Sequence, residues 1–323
     1  MTATTLENVE SYRAELKAHC YRMLGSAFEA EDAVQETLVR AWRASNRFEG
    51  RTTLRGWLYR IATNVCLTML SRSKAKRLTP YLSSPPATDL PTGPAREITW
   101  LEPYPQAFLD EIPDSAPAPH ARYEQKEATE LAFVAAIAYL PPKQRAALLL
   151  HEVLGWSAQE TASALETSTA SVNSALQRAR DTLRKKLPDD PSTLRKGDTT
   201  REQSELLARY VAAWEAQDMR ALTNLLKEDA ILSMPPVPQW YRGADQIAEI
   251  FEWGIAQTEY LAWRVVPTAA NNQAAILLFG KEADAPEEWR PHAVHVLSIH
   301  DGRITLVHNF MDPALPRLFA QHG

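Results

Sequence analysis

At 323 residues the chain is long enough for two or three ordinary domains, each burying its own core. Hydrophobic residues at 45% and charged residues at 23% exclude a collagen, a wholly disordered chain or a disulfide scaffold. Cys20 and Cys66 lie far apart in apolar helical patterns and read as buried free thiols, which suits a reducing cytoplasm. The net charge of −5 looks wrong for a nucleic-acid partner until it is divided along the chain. Residues 1–77 hold 13 Lys and Arg against 8 Asp and Glu, and residues 126–197 hold 10 against 8. The intervening 78–125 hold 2 against 7, and 198–323 hold 10 against 17. Two basic blocks alternating with two acidic ones point to nucleic-acid contact beside segments that avoid or mimic nucleic acid. The polar, acidic N-terminus lacks the basic-then-apolar pattern of an export signal, and no apolar run reaches the ~18 residues of a membrane span.

Residues 8–77 carry apolar positions at helical spacing throughout and predict one all-α domain. Gly25 stops one helix, and Ser26 with Glu29 three residues on caps the next, which runs to about Arg43. On that helix Ala33, Val34, Leu38, Ala41 and Trp42 are expected to face inward. Asp32, Gln35, Glu36, Val39 and Arg43 form the opposite stripe. Residues 78–122 are an acidic, proline-rich linker that favours extended backbone. Its Trp100, Leu101, Tyr104, Phe108 and Leu109 are too apolar for an inert tether, so part of it should dock on a surface.

A second all-α domain is expected over 123–187. Leu140-Pro141-Pro142-Lys143 opens a helix ending near Gly155, and Ser157 with Glu160 caps a short helix to Leu165. The turn Glu166-Thr167-Ser168 then leads into a helix over 169–186. Helix, tight turn and helix of these lengths is the helix-turn-helix layout, whose second helix enters the major groove. Val172, Leu176, Ala179 and Leu183 fall on one face of it. Ser171, Asn173, Ser174, Gln177, Arg178 and Arg180 fall on the other, with Lys185 where a phosphate would lie. Asn, Gln and Arg can each place two hydrogen bonds on a base edge.

After a short linker, 188–200, the pattern over 201–323 changes to two amphipathic helices followed by strands at about 230–234, 261–268, 273–279, 292–300 and 303–312, with a helix over 244–253. Helices first and an antiparallel sheet afterwards make an α+β domain. Asp301-Gly302 between two alternating runs marks a hairpin.

The segments AEDAVQETLVRAW and FEGRTTLRGWLYRIATNVCLTML, followed by the helix-turn-helix block, resemble the extracytoplasmic-function sigma factors of the sigma-70 family. The resemblance covers about 10–77 and 125–187. It implies a region 2 that binds the clamp helices of core RNA polymerase and melts the minus-10 element, and a region 4 that reads minus-35 DNA and touches the polymerase flap. It assigns Asp32, Gln35, Glu36, Val39 and Arg43 to the clamp-helix surface. Phe48, Arg51, Thr52, Arg55, Arg60 and Asn64, within 48–64, become the minus-10 readers, with Trp57 and Leu58 in the core. The linker would lie in a polymerase channel later used by RNA. Glu166 departs from the family, which usually has glycine in that turn, and the linker is longer than usual. The last domain resembles the SnoaL-like cone of polyketide cyclases and ketosteroid isomerases.

Within that cone Tyr210, Trp214, Trp240, Tyr241, His295 and His308 are candidates to point inward, and Trp214, Tyr241, His295 and His308 to line a pocket for a small-molecule ligand. Asp229 and Asp312 sit at strand ends. No catalytic pair of acids, metal-ligand cluster or cofactor motif is evident. A tail that regulates a promoter-recognition subunit is therefore preferred to an enzyme tethered to DNA, and to a ligand-responsive regulator that works without polymerase.

Overall fold

Helical periodicity through the first half of the chain and strand alternation near its end separate into two compact units, Met1–Arg77 with Ala107–Asp189, and Leu78–Gln106 with Asp190–Gly323. The structure, a computed structural model, describes residues 9–45, 53–72, 77–78, 80–82, 84–95, 98–112, 128–186, 201–285 and 287–320.

In the first unit α1 (Arg13–Leu24) stops at Gly25, whose φ of 73° is the left-handed conformation glycine adopts without strain. Ser26 then caps α2 (Ala27–Arg43), its hydroxyl accepting from the Glu29 amide at 3.1 Å. With α3 (Leu54–Arg72) these helices bury Leu16, Met23, Val34 and Leu58. Cys20 and Cys66 are buried free thiols in the same core. The second helical block contains α4 (Leu131–Ala138), α5 (Pro142–Leu148) continued by a π turn at Leu149–Val153, α6 (Ala158–Ala164) and α7 (Thr169–Lys186). Arg145 of α5 ties the two blocks together from a buried position. Its guanidinium donates to the carbonyls of Ile137 (3.0 Å), Ala138 (2.7 Å), Leu140 (3.4 Å) and Met23, which include carbonyls in the last turns of α4 and α1. Carbonyls at helix ends lack intrahelical donors, and a five-donor cation supplies them.

The second unit packs α8 (Arg201–Glu215), α9 (Met219–Thr223) and α10 (Ala244–Ala256) on one face of a six-stranded sheet and ends with α11 (Ala314–Ala320). The strands are β1 (Leu226–Ser233), β2 (Trp240–Arg242), β3 (Tyr260–Ala270), β4 (Gln273–Glu282), β5 (Arg290–His300) and β6 (Arg303–Phe310), in the order β2-β1-β6-β5-β4-β3. The sheet is mixed and not antiparallel throughout as expected: β1 runs parallel to β6, because the chain leaves β1 through β2 and α10 before returning at the far edge. Strand β2 escaped the sequence because three residues are too few for alternation to show. The β3–β4 hairpin turns on Asn271 and Asn272, with φ of 56° and 58°, and the β5–β6 hairpin on Asp301 and Gly302.

Residues 78–106 of the acidic linker belong to this second unit and are held by hydrogen bonds. Ala87 donates its amide to Trp240 O at 2.8 Å, and Ala95 to Pro236 O at 2.9 Å. Trp240 Nε1 donates to Ser84 O (3.1 Å), Tyr241 Oη to Asp89 O (3.0 Å) and Gln246 Nε2 to Ala87 O (3.0 Å). At its far end Tyr104 and Asn271 exchange two bonds, Tyr104 N to Asn271 Oδ1 at 2.8 Å and Asn271 N to Tyr104 O at 3.0 Å. Leu101 and Tyr104 are buried there, whereas Phe108 is buried in the helical unit beneath Lys17, whose Nζ stands 3.4 Å from the ring centroid.

Arg145→Met would keep the stem and take a donor from four buried carbonyls. We expect the helical unit to lose about 3 kcal/mol in urea denaturation followed by ellipticity, and a loss below about 0.5 kcal/mol would contradict this account of how the helical blocks are joined.

Candidate nucleic-acid interface and tail core

The helix-turn-helix is built as its residues predict. Ser157 and Glu160 form a complete capping box at the start of α6, each side chain bonding the other's backbone. Glu166 occupies the turn with a φ of 51°, so the position where glycine is usual does need the left-handed conformation, here adopted by a residue with a Cβ. Along α7 Val172, Leu176, Ala179 and Leu183 are buried, while Ser171, Asn173, Ser174, Gln177, Arg178, Arg180 and Lys185 are exposed on one side. Ser168 caps the helix through its hydroxyl and holds Ser171, 2.9 Å between the two hydroxyl oxygens. Arg180 is paired with Glu152.

The minus-10 candidates divide. Phe48, Arg51 and Thr52 lie outside the described residues. Arg55 is drawn into the fold: it donates to Glu15 at 2.9 Å and stands 5.0 Å over the Tyr59 ring, while Tyr59 Oη also donates to Glu15. Arg60 is exposed and pairs at 2.8 Å with Glu166 of the helix-turn-helix turn. Asn64 is half-buried one turn along α3. Leu58 is buried and Trp57 half-buried.

On α2 Asp32, Gln35, Glu36, Val39 and Arg43 are all exposed, with Glu36 bonded to Arg40 at 2.7 Å. Trp42 corrects the sequence reading, since it is 61% exposed where an inward position was expected. Positions 28, 32, 35, 39 and 42 follow a four-three spacing, which puts Phe28 and Trp42 on the exposed stripe, and that spacing was legible in the sequence.

In the tail His295 and His308 do not share a pocket. A simple two-residue hairpin at Asp301-Gly302 would set them opposite one another on one face. A register shift between Ser298 and Ile299 instead pairs His295 with Asn309 and Val296 with His308. One extra residue turns every later side chain to the other face. His295 therefore lies under the helices, its Nδ1 2.9 Å from Tyr210 Oη and its ring 5.2 Å from Trp214. His308 faces the linker, 5.3 Å from the ring of Tyr81, with Ser233 and Trp240 on the same side. Tyr241 belongs to the helix-covered core, yet its hydroxyl reaches the linker and raises its pKa to about 12 through burial first and Asp89 second. Asp229 and Asp312 are exposed, so neither brings a carboxylate to His295. No group of three metal-ligating side chains occurs among the described residues. No helix among them is long and apolar enough to cross a membrane.

Burial pushes His308 and His295 down to about 3, and His292 to about 4, from an ordinary value of 6.5. The unfolded chain takes up protons at these imidazoles near pH 6.5 while the folded tail does not, so stability is lost as pH falls below about 6.5. The urea midpoint of the tail, read by tryptophan fluorescence, should fall between pH 7 and pH 5, and His308→Leu should flatten that dependence. An unaltered slope in His308→Leu would show that the imidazole is not desolvated by the linker.

Residues 9–76 match Sigma-70 region 2, residues 130–183 match Sigma-70 region 4, and residues 207–307 match the SnoaL-like domain. The chain is 42% identical over 311 residues to the ECF RNA polymerase sigma factor SigG of Mycobacterium tuberculosis, an alignment that covers 95% of this chain and 81% of that protein. It is 28% identical over 254 residues to SigJ of the same organism, covering 77% of this chain and 72% of that one. The crystal structure of Mycobacterium tuberculosis extracytoplasmic function sigma factor SigJ shares its fold at a TM-score of 0.58, covering 95% of this chain and 96% of that chain at 20% identity. With both sigma regions present in order and this identity over nearly its whole length, the chain belongs to the ECF RNA polymerase sigma factors.

Proposed function

We propose that the protein joins core RNA polymerase in the cytoplasm and directs it to promoters, and that its tail governs this by holding the linker. The observation that carries promoter reading is the sorting of α7 into a buried apolar face and an exposed face of Ser171, Asn173, Ser174, Gln177, Arg178 and Arg180. On that surface Asn173, Gln177 and Arg178 read minus-35 base edges, and Arg180 and Lys185 meet phosphates. Arg60 and Asn64 serve the minus-10 element together with Phe48, Arg51 and Thr52, while Arg55 orders α3 through Glu15. The exposed stripe of α2 is the clamp-helix surface, and Phe28, Val39 and Trp42 give it the apolar anchors that an interface of modest charge needs. Region 4 meets the flap.

Two promoter-facing cations are occupied by carboxylates, Arg60 by Glu166 and Arg180 by Glu152. Exposed pairs of this kind are worth about 0–1 kcal/mol each, so phosphate can displace them at little cost. They favour the DNA-free arrangement without locking it. Run-off transcription with core polymerase tests the reading. We expect initiation at a defined promoter, and Asn173→Ala, Gln177→Ala and Arg178→Ala to erode discrimination by about 1–3 kcal/mol per lost bidentate contact. Lys185→Ala should weaken cognate and scrambled DNA alike. Promoter-independent transcription, or equal losses for all four variants, would refute it.

The tail's hold on residues 84–106 supports its regulatory role, because the stretch that the family threads through polymerase is bonded here to another partner. Tyr241→Phe with Gln246→Ala removes two donors to linker carbonyls and leaves the aromatic core in place. At limiting polymerase this variant should give roughly five- to thirtyfold more promoter-specific transcript, each bond contributing about 0.5–1 kcal/mol. Unchanged or reduced output would show that the tail does not compete for the linker.

A further inference from the structure

The tail encloses a cleft of about 560 Å³ between the start of β3, the approach to β5 and the segment joining β6 to α11. Such a volume suits a small organic molecule. Its aromatic walls are Tyr260, Trp289 and His292, with Met311 opposite and Arg290 and Arg317 also lining it. The Tyr260 ring is seated over Gly280, where even a methyl group would collide with it, so its position is set by the absence of a side chain. His292 meets Tyr260 edge-on at 5.4 Å and Trp263 at 5.0 Å. Behind them Trp263 is buried, and its Nε1 has no hydrogen-bond partner among the described residues.

Charge distinguishes this cleft from its surroundings. Residues 198–323 carry 10 basic against 17 acidic side chains, yet the lining sets two arginines against one carboxylate, Glu288. Arg290 gives one guanidinium nitrogen to Glu282, and its other nitrogens make no ion pair among the described residues. Arg317 is exposed and makes no ion pair among the described residues. Two planar cationic forks beside three aromatic rings match a carboxylate carried on a flat apolar body.

We propose that this cleft binds a small aromatic carboxylate, its ring against Tyr260, Trp289 and His292 and its charge at Arg317 and the other nitrogens of Arg290. A backbone bond joins the site to the seat of the linker: Met311 N donates to Pro235 O at 2.9 Å, and the next residue, Pro236, accepts the Ala95 amide. It stands or falls by ligand binding alone, whatever the linker does. The test is titration of the full chain with 2-naphthoate and with its neutral isostere 2-naphthamide, followed by calorimetry and tryptophan quenching. Naphthoate should bind saturably and roughly tenfold tighter than the amide. Arg317→Gln, at an exposed position, should remove most of naphthoate's advantage over the amide and leave the amide unchanged, and Met311→Trp should fill the cleft and abolish both. Absence of saturable naphthoate binding, or binding indifferent to both substitutions, would overturn the site.

Discussion

A proline-rich segment has few ways to satisfy its own backbone, because it forms neither helix nor ladder, and buried carbonyls and amides without partners are costly. In this chain the tail supplies the partners. Trp240, Tyr241, Gln246 and Asn271 each bond linker backbone, and Leu101 and Tyr104 are buried. A stretch whose composition suggests a tether is thereby, over residues 78–106, a fitted part of the tail domain. Any partner that claims the linker must replace those bonds, so in the proposed function the tail would act on the sigma regions by competing for one segment.

The helical unit divides its polar groups by what they cost to disturb. Arg145 is buried among four carbonyls, and its loss would take a donor from each of them in a medium that water does not reach. Arg60 and Arg180 are exposed and paired with carboxylates across short distances, an arrangement that water and phosphate can both replace. The groups that fix the fold are therefore held firmly, while the exposed cations proposed to face promoter DNA are held weakly. That partition suits a protein that must keep its shape while exchanging partners.

Much of this was legible in the residues. The capping signals at Ser26 and Ser157, the four apolar positions of α7 and the hairpin at Asp301-Gly302 all depend on neighbours within a few residues, and each is realised. What escaped depends on distant geometry. His308 was placed with His295 because alternation cannot reveal the register shift after Ser298. Tyr241 read as a pocket residue because nothing local shows that its hydroxyl meets Asp89, 152 residues away in the chain. Arg145 carries no signal at all, since a buried arginine among helix ends looks in sequence like any helical surface cation. Trp42 needed no distant geometry, since its spacing from Phe28 and Val39 already places it on the exposed stripe.

The competition for the linker can be read from the tail side, where polymerase need not cover the reporter. The amides of Asn271 and Asn272 donate to Tyr104 O and Gln106 Oε1 in the free chain, so their hydrogen exchange records whether the linker is seated. Exchange measured on the full-length protein alone and in complex with core polymerase should show both amides protected in the first and markedly faster in the second. Equal protection in the two states would mean that the linker stays on the tail while polymerase is bound, and would contradict the account.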